Sequence, residues 1–90
     1  MTTPRKITAN FVETEIDDEI LLVDLDGGEL FSLSGTAREI WRLIDGERTT
    51  AAICEMLSNR YDAPAETIMQ DVNALLADLR AAALVEQGWK

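Results

Sequence analysis

Between residues 11 and 33 short segments place apolar side chains on alternating faces, and between residues 37 and 79 apolar side chains recur every three or four positions. The chain therefore divides into a sheet-forming half and a helix-forming half. Phe11–Ile16 alternates, with Val12, Thr14 and Ile16 on one face and Phe11, Glu13 and Glu15 on the other. Asp17-Asp18 marks a turn. Residues 19–25 read as a second strand with Leu21, Val23 and Leu25 on its core face; Ile20 and Leu22 make its other face apolar as well. Asp26-Gly27-Gly28 tolerates positive φ and predicts a tight hairpin. The third strand covers Glu29, Leu30, Phe31, Ser32 and Leu33. Its alternation sends Phe31 and Leu33 inward and Leu30 and Ser32 outward, to the side of Ile20 and Leu22.

The helical half opens near Thr36, where Thr36 and Glu39 have capping-box spacing and Ser34 offers an alternative cap. Ala37, Ile40, Trp41 and Ile44 form a buried stripe, and Gly46 suits a left-handed stop. Thr49 or Thr50 caps a second helix that runs to about Arg60 with Ile53, Leu57 and Tyr61 inward. Pro64 suits the first turn of a third helix over residues 65–82. There Ile68, Val72, Leu75, Leu76 and Leu79 lie within about 100° of one another around the axis, and Met69 and Ala65 widen that stripe on one flank. Leu84-Val85-Glu86 reads as a short terminal strand or an extended segment. Residues 1–10 lack periodicity and read as a flexible N-terminal arm, and residues 87–90 as a tail. The expected fold class is α+β: a three-stranded antiparallel meander followed by three helices over residues 11–86, winged helix-turn-helix-like.

Ninety residues support one modest core. The net charge of −9 opposes contact with nucleic acid or anionic lipid. No apolar run approaches the roughly 20 residues of a membrane span, and the basic N-terminus has no apolar segment behind it, so a cytoplasmic location is expected. The lone cysteine, Cys54, fits a reducing compartment. The chain has no histidine, which removes imidazole bases and His-containing zinc sites. Cys54 then reads as packing, and Ser34 and Thr36 as helix caps rather than nucleophiles. Asp24 to Glu29 resembles the start of a calcium loop, but Leu30, Ser32 and Gly35 fall where ligands belong. No metal, no cofactor and no catalytic activity are expected. The composition describes a binding module.

The series Leu33-Ser34-Gly35-Thr36-Ala37, Ile40-Trp41, Asp45-Gly46, Arg48-Thr49, Ile53, Leu57, Tyr61, Asp71-Val72, Leu76, Leu79 and Leu84-Val85-Glu86 resembles the PqqD family over residues 11–86. The resemblance implies a winged-helix relative that binds the leader of a ribosomally made, post-translationally modified precursor peptide. It implies presentation of that leader to a modifying enzyme, such as a radical SAM enzyme in pyrroloquinoline quinone synthesis, or a leader peptidase and cyclase in lasso-peptide systems. The family often has Asn at the position of Ser34, and Gly at that of Ala83, which suggests a different end to the third helix here. The N-terminal segment differs from that of quinone-pathway members, which favours another peptide-modification pathway.

With sheet order 1-2-3, the strand of Glu29, Leu30, Phe31, Ser32 and Leu33 is an edge, open to pairing with an added strand. The expected pockets lie between that edge and the third helix, floored by Leu30, Met69, Val72 and Leu76, with Asp71 or Asn73 for polar contacts. Two rivals remain: a winged-helix DNA-binding regulator, and an accessory subunit of an enzyme without a peptide ligand. Glu66, Asp71 and Asp78 against Arg80 on the third helix oppose the DNA reading.

Overall fold

The computed structural model describes residues 2–89 and the side chains of residues 3–88. Strands β2 (Phe11–Ile16), β3 (Glu19–Asp24) and β4 (Leu30–Leu33) form an antiparallel sheet in the order β2-β3-β4. Helices α1 (Thr36–Leu43), α2 (Thr50–Arg60) and α3 (Ala65–Ala81) follow. The α+β class, the three-stranded meander and the three helices are as the periodicity predicts. Among the described residues no helix is long and apolar enough to cross a membrane.

The N-terminal segment is not a free arm. Thr2–Lys6 forms a strand, β1, antiparallel to β5 (Val85–Trp89), so the two ends of the chain make a separate two-stranded ribbon. Residues 87–89 accordingly belong to a strand rather than a tail; the Trp89 ring lies outside the described side chains. Thr3, Pro4, Leu84 and Val85 are buried in this ribbon and beneath it. Gly46 N–H donates to Pro4 O at 3.0 Å, which ties β1 to the turn after α1, and Gly46 holds the positive φ of 79° that its turn requires. The paired residues of β1 and β5 lie about 80 residues apart, so local sequence carries no trace of that pairing.

The faces of β3 are the reverse of the expectation. Ile20, Leu22 and Asp24 point inward, while Val23 is 39% and Leu25 58% exposed. Register explains the arrangement. Ile20 pairs with Leu33 and Leu22 with Phe31, so all four share the inner face; Leu30 pairs with Val23 and Ser32 with Leu21, on the outer face. Asp24 ends the inner series, and its carboxylate is satisfied locally, accepting the Asp26 N–H at 3.0 Å. Gly28 N–H donates to Asp24 O at 2.8 Å with φ +71°, closing the hairpin.

The core joins the inner sheet face to the helices. Trp41 is fully buried at its centre: it packs edge-on to Phe11 at 5.3 Å, donates from Nε1 to Glu13 at 2.9 Å, and carries the Lys6 ammonium over its ring at 4.3 Å. Burial lowers the Lys6 pKa, against the opposing fields of Glu13 and Asp45. Ile40, Ile44, Ile53, Leu57, Ile68, Val72, Leu76 and Leu79 complete the core. Thr49 caps α2 by accepting the Ala52 N–H at 3.0 Å. Helix α1 has no side-chain cap; Gly35, at φ +57°, precedes it and serves as a turn rather than a capping box.

Helix α3 ends in a Schellman motif. Leu84 N–H donates to Leu79 O at 2.9 Å and Ala83 N–H to Arg80 O at 3.0 Å. Ala83 takes the left-handed conformation, φ +59°, that glycine ordinarily occupies. The helix therefore stops as it would with glycine, contrary to the expectation from Ala83.

Candidate functional site

Strand β4 is an edge of its sheet. Which of its groups face the open side follows from the ladder. Asp24 N–H donates to Glu29 O at 2.8 Å, so that pair is hydrogen-bonded, and bonded pairs alternate with non-bonded ones along an antiparallel ladder. Glu29, Phe31 and Leu33 thus turn their main chain toward β3. Leu30 and Ser32 turn theirs to the free edge, presenting N–H and C=O groups to an incoming strand.

Beside this edge lies a pocket of about 330 Å³ lined by Glu29 and Phe31 from the strand and by Asp78, Ala81 and Ala82 from the C-terminal end of α3. Two small alanines keep the helix wall low, and Phe31, half-buried, supplies an apolar floor. On the other sheet face, Leu30 (60% exposed) continues a cross-strand row through Val23 to Val12.

The expected site residues divide among three places. Glu29 and Phe31 line the pocket. Leu30 and Ser32 offer main-chain groups to the edge, but their side chains lie on the outer face, where Ser32 Oγ donates to Glu19. Leu33, Val72 and Leu76 are core residues, 4%, 0% and 4% exposed, and do not line the pocket. On α3, at about 100° per residue, Asp71 lies about 20° from Asp78 and shares the pocket-facing stripe two turns earlier, whereas Asn73 is turned away by about 140°. Met69 stands about 180° from Asp78, on the flank of the core stripe opposite the pocket. It is half-exposed there. Its distance from the pocket reflects the way α3 rolls against the sheet: the stripe of Val72 and Leu79 faces the core, which leaves Asp78 and Ala82 on the β4 side. Asp78, Ala81 and Ala82 were hidden within a helix face that reads as merely solvated; the sequence signal was the seven-residue spacing from Asp71 to Asp78 together with the alanines.

Electrostatically the sheet segment is one-sided. Residues 7–37 contain Glu13, Glu15, Asp17, Asp18, Glu19, Asp24, Asp26 and Glu29 and not one Lys or Arg. The cations that reach the sheet come from α1: Arg38 (2.6 Å) and Arg42 both bond Glu15 and hold its carboxyl below the usual range. Burial pushes the Cys54 thiol up, which keeps it protonated and unreactive at neutral pH. Among the described residues no group of three His, Cys, Asp or Glu side chains could hold a metal ion. The site's chemistry is that of an open strand edge beside a shallow, acidic-walled groove, suited to holding an extended chain.

The fold that carries this site is a small α+β domain also found in solved leader-peptide complexes. The described fold matches a solved structure of TbiB1 in complex with the TbiA(beta) leader peptide, with a TM-score of 0.79 and 28% identity over 94% of this chain and 98% of that one. Lasso peptide synthetase B1 complexed with the leader peptide has the same fold, with a TM-score of 0.78 and 20% identity over 94% and 96% of the two chains. The chain belongs to the family of coenzyme PQQ synthesis protein D (PqqD), whose sequence model matches residues 19–85. Over 49 residues it is 43% identical to a PqqA binding protein of Gluconobacter oxydans (strain 621H), a match covering 54% of this chain and 51% of that relative. The chain thus spans about half the length of this curated relative.

Proposed function

We propose that this protein is a non-catalytic recognition domain that binds the leader of a ribosomally made precursor peptide by strand addition at β4. The observation that carries the reading is the open β4 edge, with the Leu30 and Ser32 main chain facing outward beside the groove of Phe31, Ala81 and Ala82. Main-chain bonds supply affinity with little demand on sequence, and the groove supplies selection. The relatives support it, since a PqqA binding protein and two leader-peptide complexes share its family or fold. The bound leader is then presented to a modifying enzyme, a radical SAM enzyme or a leader peptidase and cyclase. The protein works in the cytoplasm, where its buried free thiol stays reduced. It acts on the peptide by holding it: the chain has no histidine and no activated thiol.

The test is amide hydrogen exchange on the isotope-labelled protein, with synthetic leaders of the short precursor reading frames beside its gene. Leader binding should protect the Leu30 and Ser32 amides and leave helix α2 unchanged. Binding that protects α2 while those two amides exchange as in the free protein would refute strand addition.

A further inference from the structure

The pocket beside β4 has carboxylates on two separate walls, Glu29 on the strand and Asp78 on α3, with Phe31 and the alanines between them. Neither carboxylate is in an ion pair among the described residues. The cations that could neutralise them are committed elsewhere: Arg38 and Arg42 to Glu15, Arg60 to Glu39 at 2.7 Å. Arg80, the cation on α3, turns its Nε back to Leu76 O at 3.4 Å. An apolar floor beneath two unneutralised carboxylates is a poor seat for an apolar anchor, which would desolvate both without pairing either. An acidic side chain would be repelled.

We propose that this pocket selects a Lys or Arg side chain of the bound peptide, carried by the peptide residue that sits opposite Phe31. The inference rests on strand addition at β4. Given that, position follows from the ladder. Leu30 and Ser32 make the hydrogen-bonded pairs with the new strand, so the residue opposite Phe31 is in a non-bonded pair, where side chains are closest, and it points to the inner face. Its aliphatic stem covers the Phe31 ring and its charged end reaches between Glu29 and Asp78. Arginine fits better than lysine, because its planar group stacks on the ring while donating to both carboxylates. Peptide residues opposite Leu30 and Ser32 point to the outer face and feel none of this selection.

The experiment selects phage-displayed random 12-residue peptides on the full chain, then titrates synthetic winners by calorimetry against the parent, Glu29→Gln/Asp78→Asn and Leu30→Pro. Winners should share a Lys or Arg at one fixed position. Replacing it with Met should weaken binding about tenfold, the size of a ring contact plus partly exposed ion pairs. The double variant, which keeps the Phe31 ring, should weaken the basic peptide about threefold and the Met peptide hardly at all, the coupling that identifies the partners. Winners without a shared basic residue, or a double variant that binds the basic peptide as the parent does, overturn the pocket assignment.

Leu30→Pro separates this failure from failure of strand addition, since proline removes one outward N–H at an edge position that tolerates it. Peptides that lose binding to Leu30→Pro but show no basic preference sink only the pocket. Peptides that bind Leu30→Pro as tightly as the parent sink strand addition itself. Should Leu30→Pro fail to fold, exchange protection of the Leu30 and Ser32 amides in the parent, with the same peptides, makes the same distinction.

Discussion

Ala83→Gly should stabilise the protein. Ala83 stands at φ +59° immediately after α3, and its N–H and that of Leu84 close the two bonds of the helix stop. A left-handed residue with a Cβ costs roughly 1–2 kcal/mol. Glycine removes that cost but gains freedom in the unfolded chain, which returns about 0.4–1 kcal/mol. The Ala83 side chain is exposed, so deleting its methyl forfeits little burial. The bond from Asn10 Nδ2 to Ala83 O, 2.8 Å, is to main chain and survives the change. The net gain is about 0.5–1 kcal/mol, or about 2–8 °C in Tm for a domain of this size. Ala83→Val should move the other way, because a branched Cβ is worse in this conformation. Reversible thermal melts by circular dichroism, with urea titration of the same three proteins, give the comparison. A glycine variant that melts at or below the parent would show that residue 83 carries no strain and that the helix ends by another geometry.

Trp41→Ala should cost ~3–5 kcal/mol in urea denaturation, since the residue is fully buried; a loss below about 1 kcal/mol would contradict its central packing. Thr49→Ala removes the α2 cap and should cost about 1 kcal/mol by the same measurement. Met69→Asp should fold and bind leader as the parent does, because Met69 lies on the flank of α3 away from the pocket; calorimetry with the leader checks it. Arg38 and Arg42 lower the Glu15 carboxyl pKa, so its stabilising effect is present above the ordinary value of 4.5 and is lost as pH falls through the lowered one. The Tm difference between parent and Glu15→Gln should therefore shrink on acidification through that window, and a difference that grows would reverse the sign.

Local pattern was enough for the three meander strands and the three helices. Alternation in residues 11–16, glycines in the β3–β4 hairpin, the Thr49 cap and the Ile68–Val72–Leu79 stripe each act over a few residues, and those forces are written where they act. The meander order followed too, because short turns leave consecutive strands no other neighbours. That order is what made β4 legible as an edge.

Three things depended on contacts between distant residues. Two apolar faces compete on β3, and period two does not choose between them. The choice fell to cross-strand register, which put Ile20 and Leu22 with Leu33 and Phe31, and to a hairpin that satisfied Asp24 in place. The N-terminal strand exists through its pairing with Val85–Trp89, at the far end of the chain. The groove wall depended on how α3 rolls on the sheet: a helix shows its apolar stripe in sequence, but which polar flank lies beside β4 is set by packing. That packing brought Asp78, Ala81 and Ala82 to the edge and left Met69 on the other side.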